Sequence, residues 1–201
     1  MRFLTKLLAL FAFALPAAAA ADVLEDIQQR EEIIIGVSIF PPWTYFHNEG
    51  RLAGQEIDLG NSIAEDLGVR ARFMQYNFED VFDALDRGDI DMIAAGVAMT
   101  PERARRFYFS APYMSAGIDI AVDSALLSNA RSRVDLNVPD FTIAAVEQTL
   151  AARVANSMFD QATVRGFTTA RAAEAAVVNG DAQAYVASVP ETQIFALRNP
   201  D

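Results

Sequence analysis

The chain has no cysteine and a single histidine among its 201 residues. Without cysteine there is no disulfide framework, no thiolate metal site and no thiol nucleophile. The histidine, His47, stands beside Asn48, Glu49 and Gly50, a turn composition that places it at the surface. A histidine zinc site or a Ser-His-Asp triad needs a histidine held by partners, so neither is expected, and no metal site is expected. After residue 21 no run is long and apolar enough to cross a membrane. Basic residues are few: 16 Lys and Arg against 27 Asp and Glu, a net charge of -11. That excess argues against nucleic acid and against anionic membrane surfaces as partners. It leaves a small ligand open, since a site has a local sign of its own. No low-complexity stretch or short-period repeat follows residue 21.

What the sequence does have begins with a leader. Arg2 and Lys6 form a positive head, Leu7–Leu15 is apolar, and Pro16–Ala21 is rich in small residues. Residues 1–21 read as a secretory signal peptide cleaved near Ala21, which directs the chain to the periplasm. Its apolar run is too short for a span. With no cysteine behind it, attachment of lipid to an N-terminal cysteine is excluded. The roughly 180 residues that remain suffice for one domain or two small lobes.

The pattern along those residues alternates. Asp22–Glu32 suggests a short lead-in helix, and Ile33–Val37 a buried strand broken by Pro41 and Pro42. Ile57–Leu67 carries Leu59, Ile63 and Leu67 at helical spacing, with Gly68 just past the end. Val69–Tyr76 alternates as a strand. Asn77 is placed to cap a helix bearing Phe78, Val81, Phe82 and Leu85, and Ile90–Ala95 reads as the next strand. The second half repeats the scheme. Strands are expected at Ile118–Val122, Phe141–Val146, Val164–Phe167 and Ala182–Val186, and helices at Thr149–Met158, Ala170–Val178 and Pro190–Leu197. Asp123–Asp140 reads as irregular. Strands alternating with helices imply an α/β fold with parallel sheets covered on both faces. Ligands of such sheets sit past the carboxyl ends of the strands.

Ala94–Tyr113, AAGVAMTPERARRFYFSAPY, is the most informative stretch. Thr100 is a good N-cap and Pro101 suits the first helical position, so a helix is expected to start at Thr100. Free amides and the positive dipole end make that start an anion site. Arg103 adds a fork that fits a carboxylate or phosphate. Taken alone, the motif reads first as a capped surface helix with a solvated arginine, exposure being the rule for arginine; the rest of the chain shifts that weighting.

Four stretches in order, IIIGVSIFPPWTY at Ile33–Tyr45, LAGQEIDLGNSIAEDLGV at Leu52–Val69, ALDRGDIDMIAAGVAMTPERARRFYFSAPY at Ala84–Tyr113 and, more weakly, VVNGDAQAYVASVPE at Val177–Glu191, resemble the periplasmic amino-acid-binding proteins of ABC importers, the solute-binding proteins of family 3. The resemblance implies a type 2 periplasmic binding protein, an α/β Venus flytrap of two lobes, here 22–117 and 118–201, with the ligand in the cleft. It implies that Arg103 clamps the ligand carboxylate, that Trp43 stacks on the ligand and that Thr149 donates to the carboxylate. It also implies the membrane subunits of an ABC importer as partners, a monomer, and no cofactor. Family members usually continue past the last helix and return to the first lobe; this chain stops at Asp201, so the return is expected to be missing.

The departures concern the ammonium end of the site. The family holds that group with a backbone carbonyl, at Gly96 here, with a threonine where this chain has Ala98, and with an aspartate that aligns with Ser188. The glycine that normally precedes the second-lobe threonine is Gln148. Closing a cleft on an ammonium with no carboxylate costs several kcal/mol, on the order of a buried unpaired charge. The expected ligand is therefore a small carboxylate, an amino acid or an amine-free acid. Glu147 is the alternative partner for an ammonium, unless it is a solvated loop acid. A rival function is an enzyme resembling the cyclohexadienyl dehydratases built on this scaffold, with Arg103 holding the substrate and Glu147 as general acid. A further one is the binding or sensor module of a longer protein.

Overall fold

The computed structural model describes residues 23–48, 50–115, 117–122 and 136–200. The leader 1–21 and most of the expected irregular segment Asp123–Asp140 lie outside the described residues.

The first sheet is built on β1 (Glu32–Val37), whose β-branched run pairs in parallel with β4 (Arg70–Gln75) on one side and β5 (Met92–Ile93) on the other. Its alternation assigns the two faces. Ile33, Ile35 and Val37 pack with Ile27 of α1 (Val23–Arg30) and with Ile57 and Ala64 of α2 (Gln55–Asp66). On the other face, Gly36 lies against Val81 of α3 (Asp80–Asp86) and Ile90. Between β1 and α2 runs the hairpin β2 (Tyr45–Phe46) and β3 (Leu52–Ala53), with His47 exposed at its tip.

Two boundaries differ from expectation. Asn77 does not cap α3 with its side chain. Its carbonyl accepts from the amides of Asp80 and Val81, and its amide group donates to Asp80 Oδ2, so the helix starts three residues later. The Ile90–Ala95 strand shrinks to β5. The Asp91 carboxylate accepts from the Ile34 amide at 2.7 Å, taking a place in the ladder, and the chain turns away at Gly96, whose φ is 58°.

The second sheet has the order β6 (Ile118–Val122), β9 (Ala184–Ser188), β7 (Thr142–Val146), β8 (Thr163–Phe167). Only β6 runs antiparallel. α5 (Leu150–Met158) buries Ala151, Ala152 and Ala155 on one face, with Ile143, Ala145 and Val186. α6 (Ala170–Val178) and α7 (Glu191–Arg198) cover the other. One apolar cluster spans both sheets, joining Phe40, Phe78, Val81 and Ile90 to Ala144, Tyr185 and Phe195.

Candidate functional site

A cavity of about 340 Å³ opens past the carboxyl ends of β1, β5, β7 and β9. Its wall includes Trp43, Gly96, Ala98, Arg103, Thr149 and Ser188, so the six residues singled out in the sequence converge.

Arg103 is set by one helical turn, α4 (Pro101–Ala104). Thr100 caps it, its Oγ1 accepting from the Arg103 amide at 3.3 Å. The guanidinium lies over the rings of Phe82, 4.8 Å to the centroid, and Phe78, 5.4 Å. It donates to the Ala98 carbonyl at 3.0 Å and to the Gln148 carbonyl at 2.8 Å. Burial pulls its pKa below the usual arginine value. Among the described residues no carboxylate hydrogen-bonds to it.

Gln148 carries φ 58°, a left-handed conformation that favours glycine. Its strain turns the carbonyl toward Arg103, while its side chain donates to Glu79 Oε2 at 3.4 Å. A third contact between the two halves is the exposed pair Arg153–Glu102 at 3.2 Å.

Thr149 caps α5, its Oγ1 accepting from the Ala152 amide at 3.1 Å, but its hydroxyl donates to the Val146 carbonyl at 2.7 Å. The proton expected to meet a ligand carboxylate is thus already used. What α5 offers the cavity is its first-turn amides, since Leu150 and Ala151 stand in the wall.

Glu147, expected as the partner of an ammonium or as a general acid, stands outside the cavity wall. Its amide donates to the Phe167 carbonyl at 2.9 Å, which prolongs the β7–β8 ladder, and its side chain lies on Gly166 of β8. A Cβ on Gly166 would stand 2.5 Å from the Glu147 Cγ.

Among the described residues the acid of the cavity wall is Glu191, which sequence reading missed. Three residues past β9 it opens α7, 8% exposed, and its Oε1 accepts from Trp43 Nε1 at 2.8 Å. Burial pushes its pKa up to about 7; the Trp43 hydrogen bond opposes this and Glu174 adds to it. A signal was present: an acid just past the carboxyl end of a strand, in the VPE of the fourth family-like stretch. Trp43 itself is placed by Gly54, at φ 119°. A Cβ there would stand 2.3 Å from the Trp43 carbonyl oxygen, which accepts from the Glu56 amide. Glu56 is wholly buried, and Tyr113 donates to both its oxygens, at 2.9 and 3.1 Å. Burial raises its pKa despite hydrogen bonds from Tyr113 and the Gly96 backbone.

The family model of the bacterial extracellular solute-binding proteins, family 3, matches residues 33–168. The chain belongs to that family. The family 3 chain is also similar to curated proteins. A membrane-bound lytic murein transglycosylase F of Maricaulis maris is 39% identical over 118 residues, 54% of this chain and 26% of that protein. A probable amino-acid ABC transporter periplasmic-binding protein of Sinorhizobium fredii is 30% identical over 131 residues, 64% of this chain and 44% of that one. Both matches cover less than half of the relative. Among solved structures, the ancestral amino acid-binding protein AncCDT-1, described as a precursor of cyclohexadienyl dehydratase, superposes with a TM-score of 0.82 at 30% identity, over 87% of this chain and 77% of that one. The fold of this family 3 protein is that of the type 2 periplasmic binding proteins.

Proposed function

We propose that the protein captures a small carboxylate-bearing solute between two lobes, 22–117 and 118–201, and delivers it in the periplasm to the membrane subunits of an ABC importer. The carrying observation is Arg103: a half-buried guanidinium in a cavity wall, hydrogen-bonded among the described residues to carbonyls alone. A carboxylate beside it and the α5 amides gains charge-assisted hydrogen bonds in a low-dielectric cleft. The name of the Sinorhizobium relative supports the transport setting. Thermal-shift screening of amino acids, keto acids, dicarboxylates and aromatic acids tests the reading, because a ligand that binds only the native state raises the melting temperature. One class should raise it, and Arg103→Ala should abolish the rise. A rise that persists in the variant removes the clamp.

One observation favours a second reading, catalysis. Glu191 keeps a carboxyl with a pKa near 7 in the cavity that holds Arg103, as a general acid at neutral pH requires. The role expected of Glu147 then passes to Glu191, which would protonate a departing hydroxyl as carbon dioxide leaves. Incubation with prephenate, followed by assay for phenylpyruvate, decides it; no turnover ends the reading. The match to a quarter of a transglycosylase F supports use as a module of a longer protein, which the sequence of the complete gene tests.

A further inference from the structure

Among the described residues the cavity wall carries ionisable charge at two positions, Arg103 and Glu191. Burial holds Glu191 largely protonated below about pH 7, and its Oε1 is engaged by Trp43. Several other donors of the wall are already turned to the protein. The Thr149 hydroxyl goes to the Val146 carbonyl, the Ser110 hydroxyl to the Ala111 carbonyl at 3.0 Å and the Tyr113 hydroxyl to Glu56. The wall's remaining hydroxyls are those of Ser115, Tyr185 and Ser188, and a neutral hydroxyl cannot balance a second charge buried in a cleft. The rim differs in kind. Met99 and Met114 stand in the wall 54% and 37% exposed, with the exposed Tyr113 ring next to Met114 in the chain. Ile118 and Leu150 add apolar wall from the other half. Large apolar side chains exposed singly are ordinary, but exposed ones gathered at a concave site mark surface that is covered when the site fills.

We infer that the rim formed by Met99, Met114, Ile118 and Leu150 is a subsite for an uncharged apolar tail, so that the ligand is a carboxylate whose far end is hydrocarbon. The assignment rests on the carboxylate reading above and deepens it. A tail ending in a carboxylate or an ammonium would be desolvated against thioethers and aliphatic carbon with no ion of opposite sign at the rim. A hydrocarbon tail gains instead from every methylene that leaves water. Methionine is unbranched and polarisable, so two of them at the mouth adapt to tails of different shape. The cavity, about 340 Å³, lies at the small end of ligand sites, so one acid with a short tail fills it.

The test holds the head of the ligand constant and varies the tail. One series runs through the straight-chain monocarboxylates from butanoate to octanoate, with glutarate and 5-aminopentanoate as members whose tails end in charge. A parallel series takes L-alanine, L-2-aminobutyrate, L-norvaline and L-norleucine, with L-glutamate and L-ornithine as the charged members, so the tail is read whichever head the site accepts. Calorimetric Kd values are measured at pH 6, below the Glu191 transition, on the wild type, on the double variant Met99→Ser, Met114→Ser and on Arg103→Ala. Within a series that binds, Kd should fall about three- to fourfold per added methylene until the cavity is full. The binding heat capacity should grow more negative with each. Charged tails should bind about tenfold or more weakly than apolar tails of the same length. The double variant should lower the gain to less than about twofold per methylene; both methionines are exposed, so the fold is not at risk. A Kd that stays flat as the tail grows, a charged tail that binds as tightly as its apolar counterpart, or a wild-type gain in the double variant overturns the tail subsite. The carboxylate clamp then stands as long as Arg103→Ala abolishes binding. Silence of both series, or full affinity in Arg103→Ala, overturns the carboxylate reading and the subsite with it.

Discussion

Trp43 Nε1 donates to Glu191 Oε1 at 2.8 Å, joining residues 148 positions apart and from the two halves of the molecule. The indole is the only one in the chain, so it reports on that bond alone. As pH rises, Glu191 ionises and the bond becomes charge-assisted. Tryptophan fluorescence of the unliganded protein should therefore titrate with a midpoint near pH 7. Glu191→Gln should remove the transition; a transition that survives assigns it to another group.

Stability should carry the mirror image of that titration. The folded pKa of Glu191, about 7, lies above its ordinary 4.5, so the folded state binds more protons between those values. Stability is then fullest below about 4.5 and is lost as pH rises toward 7, by up to roughly 3 kcal/mol at 1.36 kcal/mol per unit. Glu56 and Glu174, also raised by burial, act in the same direction. The unliganded melting temperature should fall between pH 5 and 8, and fall less in Glu191→Gln. Equal slopes would refute the assignment.

Much of the fold was legible because its signals are local. The strand Ile118–Val122 and the helix Ala170–Val178 occur at the bounds read from periodicity. Trp43 and Arg103 could be gathered because each lies just past a strand end, whereas Gly96, Ala98, Thr149 and Ser188 came only with the family resemblance; that they touch a ligand is the proposal. What escaped depended on partners far off in sequence. Glu147 turned away because one more rung of the β7–β8 ladder fixes it over Gly166. The Thr149 hydroxyl is claimed by Val146, and the place of Glu191 follows from Trp43.

Arg103→Lys should not rescue the clamp. A lysine keeps the charge but cannot serve two carbonyls and a carboxylate in one plane, nor stack as well on Phe78 and Phe82. Affinity for any carboxylate that binds should drop about tenfold or more, in titration calorimetry, with circular dichroism unchanged.

Gln148→Gly should stabilise the unliganded protein. Relief of a left-handed non-glycine backbone outweighs the loss of one exposed contact to Glu79 and the added chain entropy, by about 0.5–1 kcal/mol. The melting temperature should rise by roughly 1–4 °C, with Gln148→Val moving it down. A fall in the glycine variant would show that the Glu79 contact dominates.

Gly54→Ala tests the placement of Trp43 from the other side. The new Cβ meets a backbone oxygen at 2.3 Å in a conformation that alanine rarely adopts. A loss of about 2 kcal/mol or more is expected, together with a shifted indole emission. A silent substitution would mean that the loop repacks freely.

If the two proposed lobes open, the apolar cluster that joins Phe40 and Phe78 to Tyr185 and Phe195 gives that motion a thermal signature. Parting the two sheets wets hydrocarbon, so the opening step carries a positive heat capacity, as unfolding does on a larger scale. The enthalpy of opening then grows with temperature, and the fraction of open molecules follows a curve rather than a straight van't Hoff line. A ligand that holds the sheets together inherits that curvature with opposite sign. Its binding heat capacity should be more negative than its own buried surface accounts for, the surplus measuring how far the empty protein stands open.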